Sequence, residues 1–158
     1  MKLRDIVVEK AVVPRLVGAN RDDVIAELLD AMVGAGTVPT ELRDEFVKAV
    51  VKREKRGSTG FGQGVAIPHV KSDRVSRVAV AIGISQSGVD FKSLDRQPVH
   101  MVFLVVSPED RPEEHLDAMQ VIFTTAGRAH FQRMLRQSST VQDVVGLLEE
   151  ADRSQAVR

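Results

Sequence analysis

Residues 58–69 of this chain read Ser-Thr-Gly-Phe-Gly-Gln-Gly-Val-Ala-Ile-Pro-His. The glycines leave backbone amides accessible to an anion, because glycine has no Cβ and tolerates positive φ. The apolar residues 65–67 predict a short buried strand, and Pro68 restricts Ile67 to an extended conformation. The stretch therefore predicts that His69 lies at the end of a strand, beside a loop suited to binding phosphate.

Length and composition limit the class of protein. The 158 residues predict one domain over residues 1–158 that is large enough to bury a core. Lys+Arg and Asp+Glu are equal at 22 each, so no net field attracts nucleic acid or anionic lipid. The absence of cysteine excludes disulfides, thiolate zinc sites and cysteine nucleophiles. No segment reaches the roughly 18 apolar residues of a membrane span or resembles a signal peptide. We therefore expect a cytoplasmic protein with no nucleic-acid partner and no direct membrane insertion.

Helical patterns surround two hydrophobic strand candidates. Asn20, followed by acidic residues, predicts a helix N-cap, and the glycines of residues 34–36 predict the end of that helix. A second helix is expected from near Pro39 to Arg53-Glu54. Residues 78–84 and 99–106 are apolar on both faces, which is typical of strands in the middle of a sheet that helices cover on both sides.

The helical pattern returns after the second strand. Pro112 is expected in the first turn of a helix, and another helix is expected around residues 128–137. Thr140 with Asp143 predicts the start of a last helix. The helix that begins near Pro112 is predicted to have an apolar stripe of Leu116, Met119, Ile122 and Phe123. The last helix is predicted to have an apolar stripe of Val141, Val144, Val145 and Leu148. The order of elements predicts a layered α/β domain.

The four histidines differ in their sequence context. His100 lies inside a hydrophobic strand and is expected to be a hydrogen-bonded core residue, and His130 is expected on the surface or in packing. His115 follows two glutamates in the first turn of a helix, where the positive helix end favours a neutral ring and the two glutamates favour a protonated one. By itself, His115 is predicted to be a surface residue. His69 is distinguished by the glycine-rich stretch that precedes it.

Three other kinds of site fit this pattern less well. A metal site formed by His69, His100 and His115 would lack the close spacing that is typical of zinc ligands. The glycine-rich stretch lacks the Gly-Lys-Ser/Thr ending of a P-loop. It also precedes its strand, whereas the glycine-rich turn of a dinucleotide fold follows one. A catalytically silent ligand- or metal-binding α/β regulatory domain stays the alternative to a phosphate-handling protein.

Arg53-Glu54 and residues 58–69 together resemble the phosphorylation-site region of type-2 enzyme IIA domains. These domains form the mannitol/fructose and nitrogen-regulatory branch of the bacterial phosphoenolpyruvate:sugar phosphotransferase system. The resemblance covers roughly residues 3–150 and continues through Gly88-Val89-Asp90-Phe91, Pro98-Val99, Phe103-Leu104-Val105-Val106-Ser107-Pro108 and His115-Leu116. It implies a single three-layer domain with a mixed sheet between helices. Val70 and Asp95-Arg96-Gln97 depart from the family pattern, and we expect them to affect partner choice only.

The resemblance also implies the chemistry. His69 is expected to accept a phosphoryl group from the phosphocarrier HPr or its nitrogen-branch relative, with Arg53 and His115 as the other catalytic residues. The phosphoryl group is expected to bind at Ser58, Thr59, Gly60 and Gly62, with no metal and no cofactor. The phosphoryl group would pass to separate enzyme IIB/IIC permease components, or its presence would regulate partner proteins. Because the chain has neither a cysteine nor a membrane segment, the nitrogen-regulatory type is favoured.

Overall fold

A mixed sheet forms the middle layer of the protein in the computed structural model, which describes residues 1–156. Its strands are β1 (Val7–Val13), β2 (Gly60–Gly62), β3 (Val65–Ala66), β4 (His69–Ser72), β5 (Ala79–Val89) and β6 (Val99–Pro108). The strand order is β1-β5-β6-β3-β2, and β4 pairs with β6 beyond β3. The β5–β6 and β2–β3 pairs are antiparallel, and the other pairs are parallel.

Helices cover both faces of this sheet, which confirms the predicted three-layer α/β fold. They are α1 (Leu3–Ile6), α2 (Arg21–Gly34), α3 (Arg43–Arg56), α4 (Pro112–Ala126), α5 (Ala129–Gln137) and α6 (Val141–Ala156), and a 3-10 turn at Thr40–Leu42 leads into α3. Helices α2 and α3 pack on one face, and α1, α4, α5 and α6 on the other. Residues 157–158 of the predicted domain lie outside the described residues, and the one-domain organisation stays a prediction. No helix within residues 1–156 combines the length and the apolar character that a membrane span requires.

The two central strands divide their side chains between two cores. Ile82 of β5 and Phe103 of β6 belong to the core under α4, α5 and α6, whereas Ala81 and Leu104 belong to the core under α2 and α3. Because successive side chains of a strand point to opposite faces, a strand between two helical layers must be apolar at every position. This explains the hydrophobic runs of β5 and β6, which the structure confirms and extends beyond the predicted bounds.

The predicted helix boundaries hold closely. Asn20 Oδ1 accepts a hydrogen bond from the Asp23 amide at 2.9 Å and caps α2, and Gly36 adopts a φ of 77° just after that helix. Thr140 Oγ1 accepts from the Asp143 amide at 3.1 Å and caps α6. Strands β1, β2 and β4 and the short helix α1 were not predicted.

The predicted apolar stripe of α4 is wrong at two positions. Leu116 and Phe123 are 64% and 55% exposed, whereas His115 and Ala118 are buried. Apolar side chains occur on more than one face of this helix, so hydrophobic spacing does not identify the face that β6 covers. The histidine therefore points into the protein, and the neighbouring leucine lies on its surface.

Candidate functional site

Strands β2 and β3 form a hairpin that leads directly into His69. Its turn residues, Gln63 and Gly64, have φ values of 60° and 80°, as expected for a two-residue hairpin turn. Asp95 accepts a hydrogen bond from the Gln63 amide at 3.1 Å, so the segment that departs from the family pattern supports this turn. The glycine-rich stretch is therefore not an open loop throughout. Gly60 and Gly62 lie buried in β2, which corrects the sequence-based interpretation.

His69 opens β4 and pairs with Val105 of β6. Its Nδ1 donates a hydrogen bond to the Ile67 carbonyl oxygen at 3.0 Å. Because a carbonyl oxygen only accepts, Nδ1 carries the proton and the lone pair of the neutral ring is on Nε2. Burial lowers the pKa of His69, and the positive charges of Arg53 and Lys71 lower it further, against the opposing effect of the Ile67 hydrogen bond. The ring is therefore neutral and nucleophilic at neutral pH.

His115 is buried beside His69, which corrects the prediction that it lies on the surface. The two ring centroids are 5.3 Å apart, with the rings tilted by 54°. The Ser107 hydroxyl is fully buried and lies 2.7 Å from His115 Nδ1. A buried hydroxyl needs an acceptor for its hydrogen, and His115 Nδ1 is within reach. When Nδ1 accepts this bond, the proton of the neutral ring is on Nε2.

The neutral state of His115 has a different main cause from the one the sequence indicated. Burial lowers its pKa to about 4, and the positive charges of His69, once it is protonated at low pH, and of Lys71 add to the effect. The helix N-terminus was expected to be the cause. Two neutral imidazoles therefore lie side by side at neutral pH, one with a free lone pair.

Arg53 lies in the last turn of α3 and donates from Nη1 to the Gly57 carbonyl oxygen at 2.8 Å. Its positive charge contributes to the lowered pKa of His69. The structure therefore brings the three predicted catalytic residues, His69, His115 and Arg53, to one region of the protein.

Glu54 is a buried carboxylate to which the sequence analysis assigned no role. It is 3% exposed and accepts hydrogen bonds from the amide of Thr59, at 3.2 and 3.3 Å, and from the Thr59 hydroxyl. Burial raises its pKa, whereas the bonds from Thr59 and the charges of Arg21 and Arg53 oppose that rise. Its spacing from Phe46 and Val50 places it on the buried stripe of α3. This spacing in the sequence could have predicted that the Glu54 side chain is buried. Glu54 ties the segment after α3 to the helix that carries Arg53.

The predicted phosphoryl ligands are engaged in bonds within the protein. The Ser58 hydroxyl donates to the Phe91 carbonyl oxygen and accepts from the Gly60 amide at 2.9 Å. A Cβ at position 60 would overlap the Ser93 hydroxyl, so any other residue there would require Ser93 to move. Binding of a phosphoryl group by Ser58, Thr59, Gly60 and Gly62 stays a prediction.

The other two histidines lie away from this site. His100 is half-buried and donates from Nδ1 to the Ser85 carbonyl oxygen at 2.9 Å. It precedes Val105, the partner of His69, by five residues of β6, or about 17 Å along the strand. His130 is exposed, which agrees with the first of the two expectations, a position on the surface or in packing. Among the described residues, no three His, Cys, Asp or Glu side chains lie together as a metal site would require.

Helix α4, which carries His115, also exposes apolar side chains. Phe123 of α4 is 55% exposed and packs against the half-buried Phe61 of the hairpin at a ring-centroid distance of 4.5 Å, with the rings tilted by 38°. Leu116 follows His115 directly and is 64% exposed. We refer to Phe61, Leu116 and Phe123 as the apolar rim. Exposed apolar groups in one area are typical of surfaces that contact another protein.

A protein-family model described as "Phosphoenolpyruvate-dependent sugar phosphotransferase system, EIIA 2" matches residues 6–151. The chain is 29% identical over 153 residues to the fructose-specific EIIABC component of Bacillus subtilis, covering 97% of this chain and 24% of that protein. It thus spans about a quarter of that relative. It is also 31% identical over 148 residues to a nitrogen regulatory protein of Bradyrhizobium diazoefficiens, covering 94% of this chain and 95% of that one.

Solved structures share the fold. The crystal structure of nitrogen regulatory protein IIA-Ntr from Neisseria meningitidis matches with a TM-score of 0.82 at 24% identity, covering 91% of this chain and 97% of that one. A chain of the Escherichia coli complex of enzyme IIAMTL and phosphorylated enzyme IIBMTL matches with a TM-score of 0.75 at 21% identity. The match covers 89% of this chain and 95% of that one.

Proposed function

Because this chain belongs to the EIIA 2 family of the phosphoenolpyruvate-dependent sugar phosphotransferase system, we propose that it carries a phosphoryl group on Nε2 of His69. The match confirms the family that the motif around His69 predicted. The observation that carries the proposal is the hydrogen bond from His69 Nδ1 to the Ile67 carbonyl oxygen. This bond presents the Nε2 lone pair of a neutral ring beside a second neutral imidazole.

In the proposed reaction, Nε2 of His69 attacks the phosphorus of a phosphohistidine on a donor protein. The new N–P bond forms as the donor's N–P bond breaks, and the electron pair of that bond returns to the donor's imidazole. Nδ1 of His69 keeps its proton throughout, and the Ile67 carbonyl stabilises the positive charge that the ring gains. No proton transfer is needed, so positioning and charge stabilisation account for catalysis.

Arg53 and His115 would stabilise the transferring group. The negative charge of a phosphoryl transition state is spread over its equatorial oxygens. Arg53 has guanidinium donors beyond the one bonded to Gly57, and these suit two such oxygens. Nε2–H of His115 would donate to a third. Ser58 and Thr59 are weaker candidates, because Phe91 and Glu54 already accept their hydroxyl hydrogens.

The partners are proteins in this proposal. An HPr-like phosphocarrier would dock on the apolar rim with its phosphohistidine at His69. The group would pass to a separate enzyme IIB/IIC permease component, or its charge would regulate a target protein. A IIA relative in complex with phosphorylated IIB supports the first route, and a nitrogen regulatory relative supports the second, which we favour. The cytoplasmic location stays a prediction that follows from these partners.

Intact mass after incubation with phosphoenolpyruvate, enzyme I and HPr tests the proposal. We expect the mass of one phosphoryl group, labile in acid and stable in base. His69→Ala should abolish it, and His130→Ala, at an exposed histidine, should not. Labelling of His69→Ala at another histidine would contradict the assignment. Failure with both HPr and the nitrogen-branch carrier would favour the silent binding domain.

A further inference from the structure

A polar pocket of about 430 Å³ lies beside α5, away from the paired histidines. Its lining comes from the hairpin turn at Gln63, from Ser85 and Gln86 of β5, from His100 of β6, and from one face of α5. Pockets of roughly 300–1,000 Å³ hold small molecules. We call this the α5 pocket.

The pattern of α5 determines the polarity of the pocket. The α5 residues in its lining are spaced i, i+3, i+4, i+7 and i+8, so they form one helical face: Ala129, Gln132, Arg133, Arg136 and Gln137. Phe131 and Leu135 are buried in the core on the opposite side. The packing that seats α5 on the sheet therefore presents its polar face to the pocket.

The charge of the pocket lining is positive. Arg133 and Arg136 line it, and no aspartate or glutamate does. Among the side chains of residues 1–155, no carboxylate oxygen lies within 4.0 Å of either guanidinium. The two cations are neighbours on one helix face and repel each other. An anion between them would remove this repulsion and accept charge-assisted hydrogen bonds.

Other polar groups complete the lining. His100 donates from Nδ1 to the Ser85 carbonyl oxygen, which leaves its Nε2 for a ligand. Gln132 Nε2 donates to Gln63 Oε1 at 2.8 Å and to the Ala126 carbonyl oxygen at 2.6 Å, which connects α5 to the turn of the hairpin and leaves Gln132 Oε1 to accept from a ligand. Amide and imidazole groups of this kind hydrogen-bond hydroxyl groups. The lining therefore suits a ligand that is both charged and hydroxylated.

We propose that the α5 pocket binds a small hydroxylated anion. Its phosphate or carboxylate group lies between Arg133 and Arg136, and its hydroxyl groups contact Gln132 and His100. The ligand meets the hairpin at Gln63. Binding requires no phosphoryl transfer, so it can be tested whether or not His69 is phosphorylated.

Amide and side-chain NMR spectra of the full chain test this site, with a hexose phosphate, citrate, inorganic phosphate and glucose as probes. We expect saturable shifts at Gln63, His100 and Gln132 with the hexose phosphate or with citrate, which distinguishes a phosphate ligand from a carboxylate one. Glucose should cause none, because it carries no charge. Inorganic phosphate should bind more weakly than the larger anion, because it lacks the hydroxyl groups.

Paired variants make the test specific. Arg133→Gln with Arg136→Gln should weaken binding by at least about tenfold, since charge-assisted bonds are lost. Arg74→Gln with Arg77→Gln removes two exposed cations outside the pocket and should leave binding unchanged. Both pairs replace exposed side chains, and the dispersion of the spectra reports folding. Equal binding by the two double variants, or shifts without saturation for every anion, would overturn the proposal. So would inorganic phosphate binding as tightly as the larger anions.

Discussion

Protonation of His115 should destabilise the fold as the pH falls. Burial lowers the pKa of His115 from its ordinary 6.5 to about 4. The folded protein thus binds this proton less readily than the unfolded chain does. When the pKa of a group is lower in the folded protein than in the unfolded chain, its contribution to stability is complete above the unfolded pKa. That contribution decreases as the pH falls toward the folded pKa. The window of this decrease therefore runs from about 6.5 down to about 4.

The size of the effect follows from these two values. A difference of about 2.5 pKa units corresponds to about 3 kcal/mol of stability across the whole window. Between about pH 7 and about pH 4.5, wild type should lose about 2 kcal/mol through this residue alone. His69 acts in the same direction, because burial lowers its pKa as well.

Urea unfolding at these two pH values measures the effect. The chain has no Trp or Tyr, so far-UV circular dichroism is the suitable signal. His115→Asn keeps a polar group for the Ser107 hydroxyl and cannot be protonated. Its free energy of unfolding should fall by about 2 kcal/mol less than that of wild type over the same interval.

The same substitution at an exposed histidine provides the control. His130→Asn should retain the pH dependence of wild type, because His130 is exposed and lies outside the site. An equal loss of stability in His115→Asn and wild type would refute the reasoning. So would an NMR titration of the folded protein that places the pKa of His115 near 6.5.

Three further predictions concern the surroundings of the site and the stability of the fold. Arg53→Gln should slow single-turnover phosphorylation about a hundredfold, because one charge-stabilising donor is lost, whereas Arg56→Gln should not slow it. Equal rapid-quench rates for the two variants would exclude a catalytic role for Arg53. Asp152→Asn should lower the free energy of unfolding by about 1–2 kcal/mol, because Asp152 accepts from the first two amides of α1 at 2.8 and 3.0 Å. Exposed Asp117→Asn is its control, and equal urea midpoints would contradict this capping role. Burial raises the pKa of Glu54, so wild type should lose stability as the pH rises through that folded pKa. The free energy of unfolding of Glu54→Gln should not decrease over this pH range. Parallel curves of stability against pH for the variant and wild type would contradict this prediction.

Local patterns predicted much of the fold and the residue that we propose as the centre of the site. The N-cap at Asn20 and the two hydrophobic strand regions were predicted because capping and alternation depend on residues that are close in the chain. The motif ending at His69 was also readable, since its glycines permit a positive φ and its proline restricts the residue before it to an extended conformation. Strand β4 was missed because it is only four residues long and its pairing partner lies in β6.

Long-range packing decided the rest of the site. Helix α4 carries apolar residues on several faces, and only its contact with the sheet buries His115 and exposes Leu116. The buried bond of Ser107 to His115 and the bond of Glu54 to Thr59 likewise depend on which segments meet. From the amino-acid sequence alone came the family, the layered fold and His69, because these depend on local residue patterns. The burial of His115 against His69, the state of the His69 proton and the α5 pocket required the tertiary structure, because burial and the contacts of distant segments determine them.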